Sequence, residues 1–333
     1  MLRPRIAVAP FLTVALLTLT SLAIPGACLH ARAQQPQAAI SDDTARGIKL
    51  YEKGETLKAI DLLKQAVKNR PDDADAWYHL GLAYNREGLM YAARPAFQKV
   101  VDLRPQFAAA RAHLAYALLL GNRIDSAAEE ATYAVSSGEQ TAQTHYVIGE
   151  VALRRNDYEK ALEKADASLE LDPGYSSALI LRSLALIGLK RPLDSAQSLE
   201  KLLSLKTSDS ASEWRAQLEE LRRAANNAPA QQTGTSDQIF KGSEVTTKVR
   251  ILKKPEPAYT DKARKAGVEG TVVLQAVFSS DATLNRIRIL QWLPFGLTER
   301  AVEAARGIKF TPATKDGRPV SMFYRIEYNF HLY

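Results

Sequence analysis

Apolar residues recur at helical spacing through the first two-thirds of the chain and at strand spacing through its end. The strongest strand signal lies in residues 320–333, where Val320, Met322, Tyr324, Ile326, Tyr328, Phe330 and Leu332 alternate with Ser321, Arg325, Glu327, Asn329 and His331. A period of two sustained this long predicts a strand with one buried face. Residues 270–278 predict another, with Val272, Leu274, Ala276 and Phe278 on the apolar face, and residues 284–290 return from a turn at Ser279–Thr283. In that return strand Ile287 and Ile289 point inward, and Arg286 and Arg288 outward. Short helices are expected over residues 259–267, closed by Gly267, and over residues 298–306, with Thr298 as N-cap and Gly307 at the end. A turn at Lys315-Asp-Gly317 leads into the last strand. The order α-β-β-α-β predicts a small α+β domain over residues 246–333, a three-stranded antiparallel sheet covered on one side by two helices.

Upstream the pattern repeats every 34 residues. In the unit starting at Ala74, Trp77, Leu80, Gly81, Tyr84, Ala93, Phe97 and Pro105 occupy places 4, 7, 8, 11, 20, 24 and 32. One step back, Gly47, Ala59, Ala66 and Pro71 hold places 8, 20, 27 and 32; one step forward, Ala115, Ala127 and Ala134 hold the first three. The fourth unit has Gly149, Ala161, Ser168 and Pro173, and the fifth, at Ser176, has Ser183, Ser195 and Leu202. Small residues allow helices to approach closely, and proline stops the second helix of each pair. Five units and an amphipathic capping stretch, residues 212–225, predict an all-α solenoid over residues 40–226.

These units resemble the tetratricopeptide family. The resemblance implies a concave face, lined by the first helices, that binds peptides or partner proteins. Places 2, 5, 9, 12 and 13 line it in the family, and here they include Tyr78, Asn85, Arg86, Tyr116, Tyr146, Glu150 and Arg154. Tyrosine and arginine dominate interface hot spots; the same residues also suit inter-repeat packing. His79 and His113 share place 6, but no third ligand shares their spacing, and they read as packing residues, not a metal site.

The end of the chain resembles the C-terminal domain of TonB. The match rests on Pro257-Ala-Tyr259, Ala263-Arg264, Gly267-Val-Glu-Gly270-Thr-Val272, Leu297 with Ala301 and Ala304, Phe310-Thr-Pro312 and Gly317-Arg-Pro-Val320. The resemblance implies that an extended peptide, the TonB box of an outer-membrane transporter, adds as a strand to the last strand of the domain. Arg325, Glu327, Asn329 and His331 then lie along the peptide-binding edge strand, and Tyr259 and Arg264 match family positions near the peptide. Thr260 replaces the family's second proline, and Ser280-Asp-Ala282 lacks the customary hairpin glycine.

The N-terminus sets the compartment. Arg3 and Arg5 precede an apolar run, residues 6–24, and Ala31-Arg32-Ala33 offers small residues before Gln34. This predicts a signal peptide over residues 1–33 and export to the periplasm; an inner-membrane anchor is the alternative. A lipid on Cys28, the single cysteine, is a third option that fits only the last lipobox position. Residues 246–333 carry 15 Lys/Arg against 8 Asp/Glu, whereas residues 34–245 carry 26 against 29. The basic end has no Lys/Arg stripe interleaved with aromatics, which argues against nucleic acid. Residues 227–245, poor in helical periodicity, read as a flexible linker. No nucleotide, metal or nucleophile motif is present, so neither an enzyme nor a cofactor is expected. Three functions follow: a periplasmic adaptor joining outer-membrane transporters to a partner in the groove, an anchored energy transducer reaching inner-membrane motor proteins, or a non-transducing envelope scaffold.

Overall fold

The structure, a computed structural model, describes residues 41–205, 211–225 and 238–332. The expected export segment and residues 226–237 of the linker lie outside the described residues. The repeats form five helix pairs. They are α1 (Asp42–Glu52) with α2 (Thr56–Asn69), α3 (Ala74–Arg86) with α4 (Met90–Leu103), and α5 (Ala108–Leu120) with α6 (Ile124–Ser136). The array continues with α7 (Ala142–Arg154) and α8 (Tyr158–Leu171), then α9 (Ser176–Gly188) and α10 (Pro192–Ser204). A capping helix, α11 (Ala211–Ala225), follows.

Place 20 shows why small residues recur. Ala59, Ala93, Ala127, Ala161 and Ser195 are all 0% exposed, so the two helices of each pair touch there. In the fifth pair the contact is polar: the Ser183 and Ser195 hydroxyls lie 2.8 Å apart. Place 32 has a second role, because Trp77 Nε1 donates to the Pro71 carbonyl and Arg111 Nε donates to the Pro105 carbonyl one repeat later. The turn inside each pair also keeps the period. Gly54, Gly88, Asn122, Asn156 and Lys190, one per repeat, all have φ between 55° and 79°. Glycine and asparagine adopt this left-handed backbone readily; Lys190 carries a Cβ penalty there. The cap buries Trp214, Leu218 and Leu221 on its apolar face.

The C-terminal domain contains β1 (Ile239–Phe240), β2 (Arg250–Lys253), α12 (Asp261–Ala266), β3 (Gly270–Phe278), β4 (Leu284–Gln291), α13 (Leu297–Arg306), β5 (Lys309–Thr311), β6 (Ala313–Lys315) and β7 (Arg318–Phe330). Its centre is the expected antiparallel trio, in the order β7-β3-β4, with β3 and β7 paired from Gly270↔Phe330 to Phe278↔Met322. Two short strands add to it: β1 lies parallel to the start of β7, and β6 forms a hairpin with β7. β2 and β5 form a separate two-stranded sheet. The hairpin turns through Asp316 and Gly317, both at positive φ, the two-residue geometry that suits strand twist.

Val272, Leu274, Ala276 and Phe278 are 0% exposed on the face that meets the helices. Ile326, Tyr328 and Phe330 of β7 join the same core. Three local expectations change. The helix expected from Tyr259 begins at Asp261, with the Thr260 hydroxyl accepting from Ala263 N. Gly296, at φ 84°, takes the N-cap place of α13; Thr298 instead is buried and its hydroxyl bonds both the amide and carbonyl of Leu293. Residues 239–240, expected within a flexible linker, pair with Ser321 and Met322 of β7.

Candidate protein-interaction site

Two surfaces have the makings of interaction sites: the concave face of the solenoid and the outer edge of β7. On the concave face of the second repeat, Tyr78 is half-buried among rings, 4.8 Å from Phe107 and 6.1 Å from both Phe97 and His113. Burial pushes the Tyr78 phenol pKa up. Half-buried Asn85 and exposed Arg86 lie two turns on. Arg86 Nη1 donates to the Tyr51 carbonyl at 2.6 Å, and its guanidinium stacks 3.6 Å from the Tyr51 ring.

Further along, the Tyr116 and Tyr146 rings lie 6.5 Å apart, and Tyr146 meets Tyr175 edge-on at 5.5 Å. Burial pushes Tyr116 up to about 12; burial and the Glu150 carboxylate push Tyr146 well above its ordinary value. Glu150, 1% exposed, accepts from Arg154 Nε at 3.1 Å, and Arg154 Nη1 donates to Asn122 Oδ1. This stretch of the groove is covered. Tyr146, Glu150 and Arg154 face Trp292, Leu293 and Pro294 of the C-terminal domain across a cavity of about 10 Å³. In the fifth repeat, Leu184, Ile187 and Gly188 face Val273, Ile289 and Gln291 across a larger cleft of about 240 Å³. Glu269 N donates to the Leu120 carbonyl at 2.7 Å, Ile289 N donates to Gln217 Oε1 at 2.9 Å, and Arg306 pairs with Glu213 at 3.9 Å, tying the C-terminal domain to the repeats. The resemblance implied an open concave face with groove residues in the second to fourth repeats; here the concave face of the third to fifth lies beneath the C-terminal domain.

The second surface is β7. β3 pairs along β7 from Met322 to Phe330, and β6 and β1 pair only with residues 318–322. From Phe323 to Phe330 the outer edge carries no strand among the described residues. Lys254 reaches it from the segment before α12: its ammonium donates to the Glu327 carbonyl at 2.7 Å and sits 4.5 Å from the Tyr328 ring. On the sheet face turned from the helices, Phe323, Arg325, Glu327 and Asn329 are exposed, and Arg325 Nε bonds Glu327 Oε1. A row of unpaired main-chain groups of this length is a template for another strand.

The family described as Gram-negative bacterial TonB protein C-terminal matches residues 255–332. The tetratricopeptide repeat family matches four overlapping segments that together run from residue 44 to 213, just over half of the chain. The chain belongs to the tetratricopeptide repeat family and carries a TonB C-terminal domain. No curated protein matches it. Among solved structures, MamA from Desulfovibrio magneticus RS-1 shares 20% identity over 51% of this chain and 99% of its own, with a TM-score of 0.43. YrrB, whose structure is described as a tetratricopeptide protein with an unusual peptide-binding site, shares 17% identity over 56% and 90%, at a TM-score of 0.42. PilF of Pseudomonas aeruginosa shares 17% over 56% and 85%, at 0.45.

Within the TonB C-terminal domain, Tyr259 and Arg264 lie at the far end of β7 from the β1 pairing. The Tyr259 ring packs edge-on to Phe330 at 5.7 Å, its hydroxyl donates to the Val268 carbonyl, and the Arg264 guanidinium lies 5.3 Å from the ring. Arg325, Glu327 and Asn329 are on β7, whereas exposed His331 falls one residue beyond it. His79 Nδ1 bonds the Asp75 carbonyl, and His113 stacks on Phe97 at 5.0 Å. Among the described residues no group of three or more His, Cys, Asp or Glu is placed to hold a metal. Nor is any described helix long and apolar enough to cross a membrane. Lys254 and Trp292 were not singled out from sequence. The signal for the buried interface was there, because Val273 and Val277 make the second face of β3 apolar too, a mark of a strand covered on both sides.

Proposed function

We propose that this chain is an envelope adaptor. Its TonB C-terminal domain takes up the extended TonB-box segment of an outer-membrane TonB-dependent transporter by strand addition to β7, and its repeats recruit a second envelope protein. The carrying observation is the outer edge of β7, unpaired from Phe323 onward and marked by a lysine satisfying one of its carbonyls. Main-chain pairing supplies the affinity in this mode, and side chains supply the selectivity. The excess of Lys/Arg in residues 246–333 adds attraction for acidic segments.

Proline is the sharp test, because it removes a main-chain donor and breaks a ladder. With a labelled TonB-box peptide and the full chain, Glu327→Pro abolishes binding and Glu327→Ala weakens it about threefold or less, since one exposed side chain contributes little. Amides between Phe323 and Asn329 that face outward exchange quickly in the free protein and slow when the peptide is added. Full protection of all of them without peptide, or equal effects of proline and alanine in a folded protein, overturns the reading. N-terminal sequencing from envelopes places the mature start at Gln34; an intact N-terminus points to the anchored transducer instead.

A further inference from the structure

The covered part of the groove has an occupant that belongs to the chain itself. Places 5, 9 and 13 of the fourth repeat, Tyr146, Glu150 and Arg154, are the family's ligand-contacting places, and they meet Trp292, Leu293 and Pro294. That segment joins β4 to α13, and Trp292 and Leu293 are 8% and 2% exposed. A tryptophan and a leucine seated beside Tyr146 on the concave face is how such a groove holds a peptide anchor.

The interface is also poorly satisfied for a permanent core. Glu150 Oε2, Trp292 Nε1 and Gln217 Nε2 are buried, and none has a hydrogen-bond partner on the protein. Each carries a desolvation penalty that opening relieves, because water reaches the group. Glu150 pairs with Arg154 on its own helix, one turn away. The contact therefore combines a well-fitted apolar anchor with polar groups that favour release.

We infer that the concave face of the third to fifth repeats is a receptor for this chain's own Trp292-Leu293-Pro294 loop. Docking of the TonB C-terminal domain closes the groove, and an external segment of the same chemistry, tryptophan followed by leucine and proline, opens it by displacement. The groove and the domain act as a latch. This inference is independent of strand addition, because it involves neither the edge of β7 nor a TonB-box peptide.

The test uses the full chain, a labelled synthetic peptide of residues 288–297, and two variants that approach the interface from opposite sides. Arg154→Ala removes the side chain that pairs with the buried Glu150 carboxyl, a loss that matters only while the latch is closed, and Trp292→Ala removes the anchor. In both, amide exchange at Glu269 and Ile289, the two main-chain donors across the interface, rises at least tenfold, while α5, α7 and β3 keep their protection. The labelled peptide binds Trp292→Ala, whose groove residues are all intact, at least tenfold more tightly than it binds the parent chain. Unchanged exchange at Glu269 and Ile289 in both variants overturns the inference, as does equal or absent peptide binding throughout. Sedimentation of the parent chain as a dimer whose Glu269 and Ile289 amides lose protection on dilution also overturns it, since the loop then docks on a second copy. Because Arg154 lies outside the C-terminal domain, that variant remains informative if Trp292→Ala unfolds the domain.

Discussion

The place-8 glycine of the second repeat allows a worked prediction. A Cβ on Gly81 lies 2.7 Å from Phe97 Cε1 and 2.9 Å from Cδ1 and Cζ. Phe97 cannot easily withdraw: it is 0% exposed, with His113 stacked on it at 5.0 Å and Tyr78 edge-on at 6.1 Å. Overpacking of this kind costs about 1–3 kcal/mol, and exchanging glycine for alanine inside a helix returns about 1 kcal/mol. Gly81→Ala therefore destabilises by about 0–2 kcal/mol, and Gly81→Leu, which puts three more carbons in the same space, by about 3 kcal/mol or more. The decisive measurement is a double-mutant cycle with Phe97→Leu, followed by urea unfolding of the full chain under circular dichroism. Shrinking the ring makes room for the methyl group, so the double variant is more stable than the sum of the singles by about 1 kcal/mol. Additivity within about 0.3 kcal/mol, at an unchanged urea slope, refutes the idea that this glycine exists to admit the ring.

Three further outcomes are expected. Lys190→Gly relieves the left-handed turn of the fifth repeat and raises stability by about 0.5–1 kcal/mol in thermal or urea melts, whereas Lys190→Ala changes little. Burial holds the His113 imidazole pKa at about 4, against an ordinary 6.5. The unfolded chain thus takes up the proton first: stability is full above pH 6.5 and declines as pH falls to about 4, by up to about 3 kcal/mol, and His113→Gln flattens that part of the profile. Lys254→Ala frees the Glu327 carbonyl, so a strand-adding peptide binds the full chain about threefold more tightly in a fluorescence titration; weaker binding means that Lys254 grips the peptide instead.

Periodicity carried the architecture because each signal it reads is local. The span of β3 follows from four alternating apolar residues, all 0% exposed, and the repeat register from glycine and alanine at places 8 and 20. The candidate edge strand was readable for the same reason, although β7 stops at Phe330 and leaves His331 beyond it. What stayed hidden depends on partners distant in sequence. Thr298 has a cap residue's chemistry, yet the loop from β4 brings Leu293 within reach of its hydroxyl and Gly296 takes the cap. β1 has only two residues, too few for any period, and exists because β7 offers an edge. The bulge between β3 and β4, where Gln275 faces Arg288 but Val277 faces Asn285, leaves Arg286 at φ 50° and shifts alternation by one residue. The coverage of Tyr146 and Glu150 follows from tertiary contact, which no spacing along α7 encodes.

Helical repeat arrays behave as springs, since each unit leans only on its neighbours and small rotations add along the stack. In this chain a strut crosses the coil. Gly267 rests against Tyr91 of α4, Glu269 is bonded to the end of α5, and Ile289 is bonded to Gln217 of α11. Turns of the coil separated by more than a hundred residues are thereby held at fixed spacing, as a string holds a bow. With the strut in place these turns keep their spacing; without it the array regains the unit-to-unit freedom of an open coil.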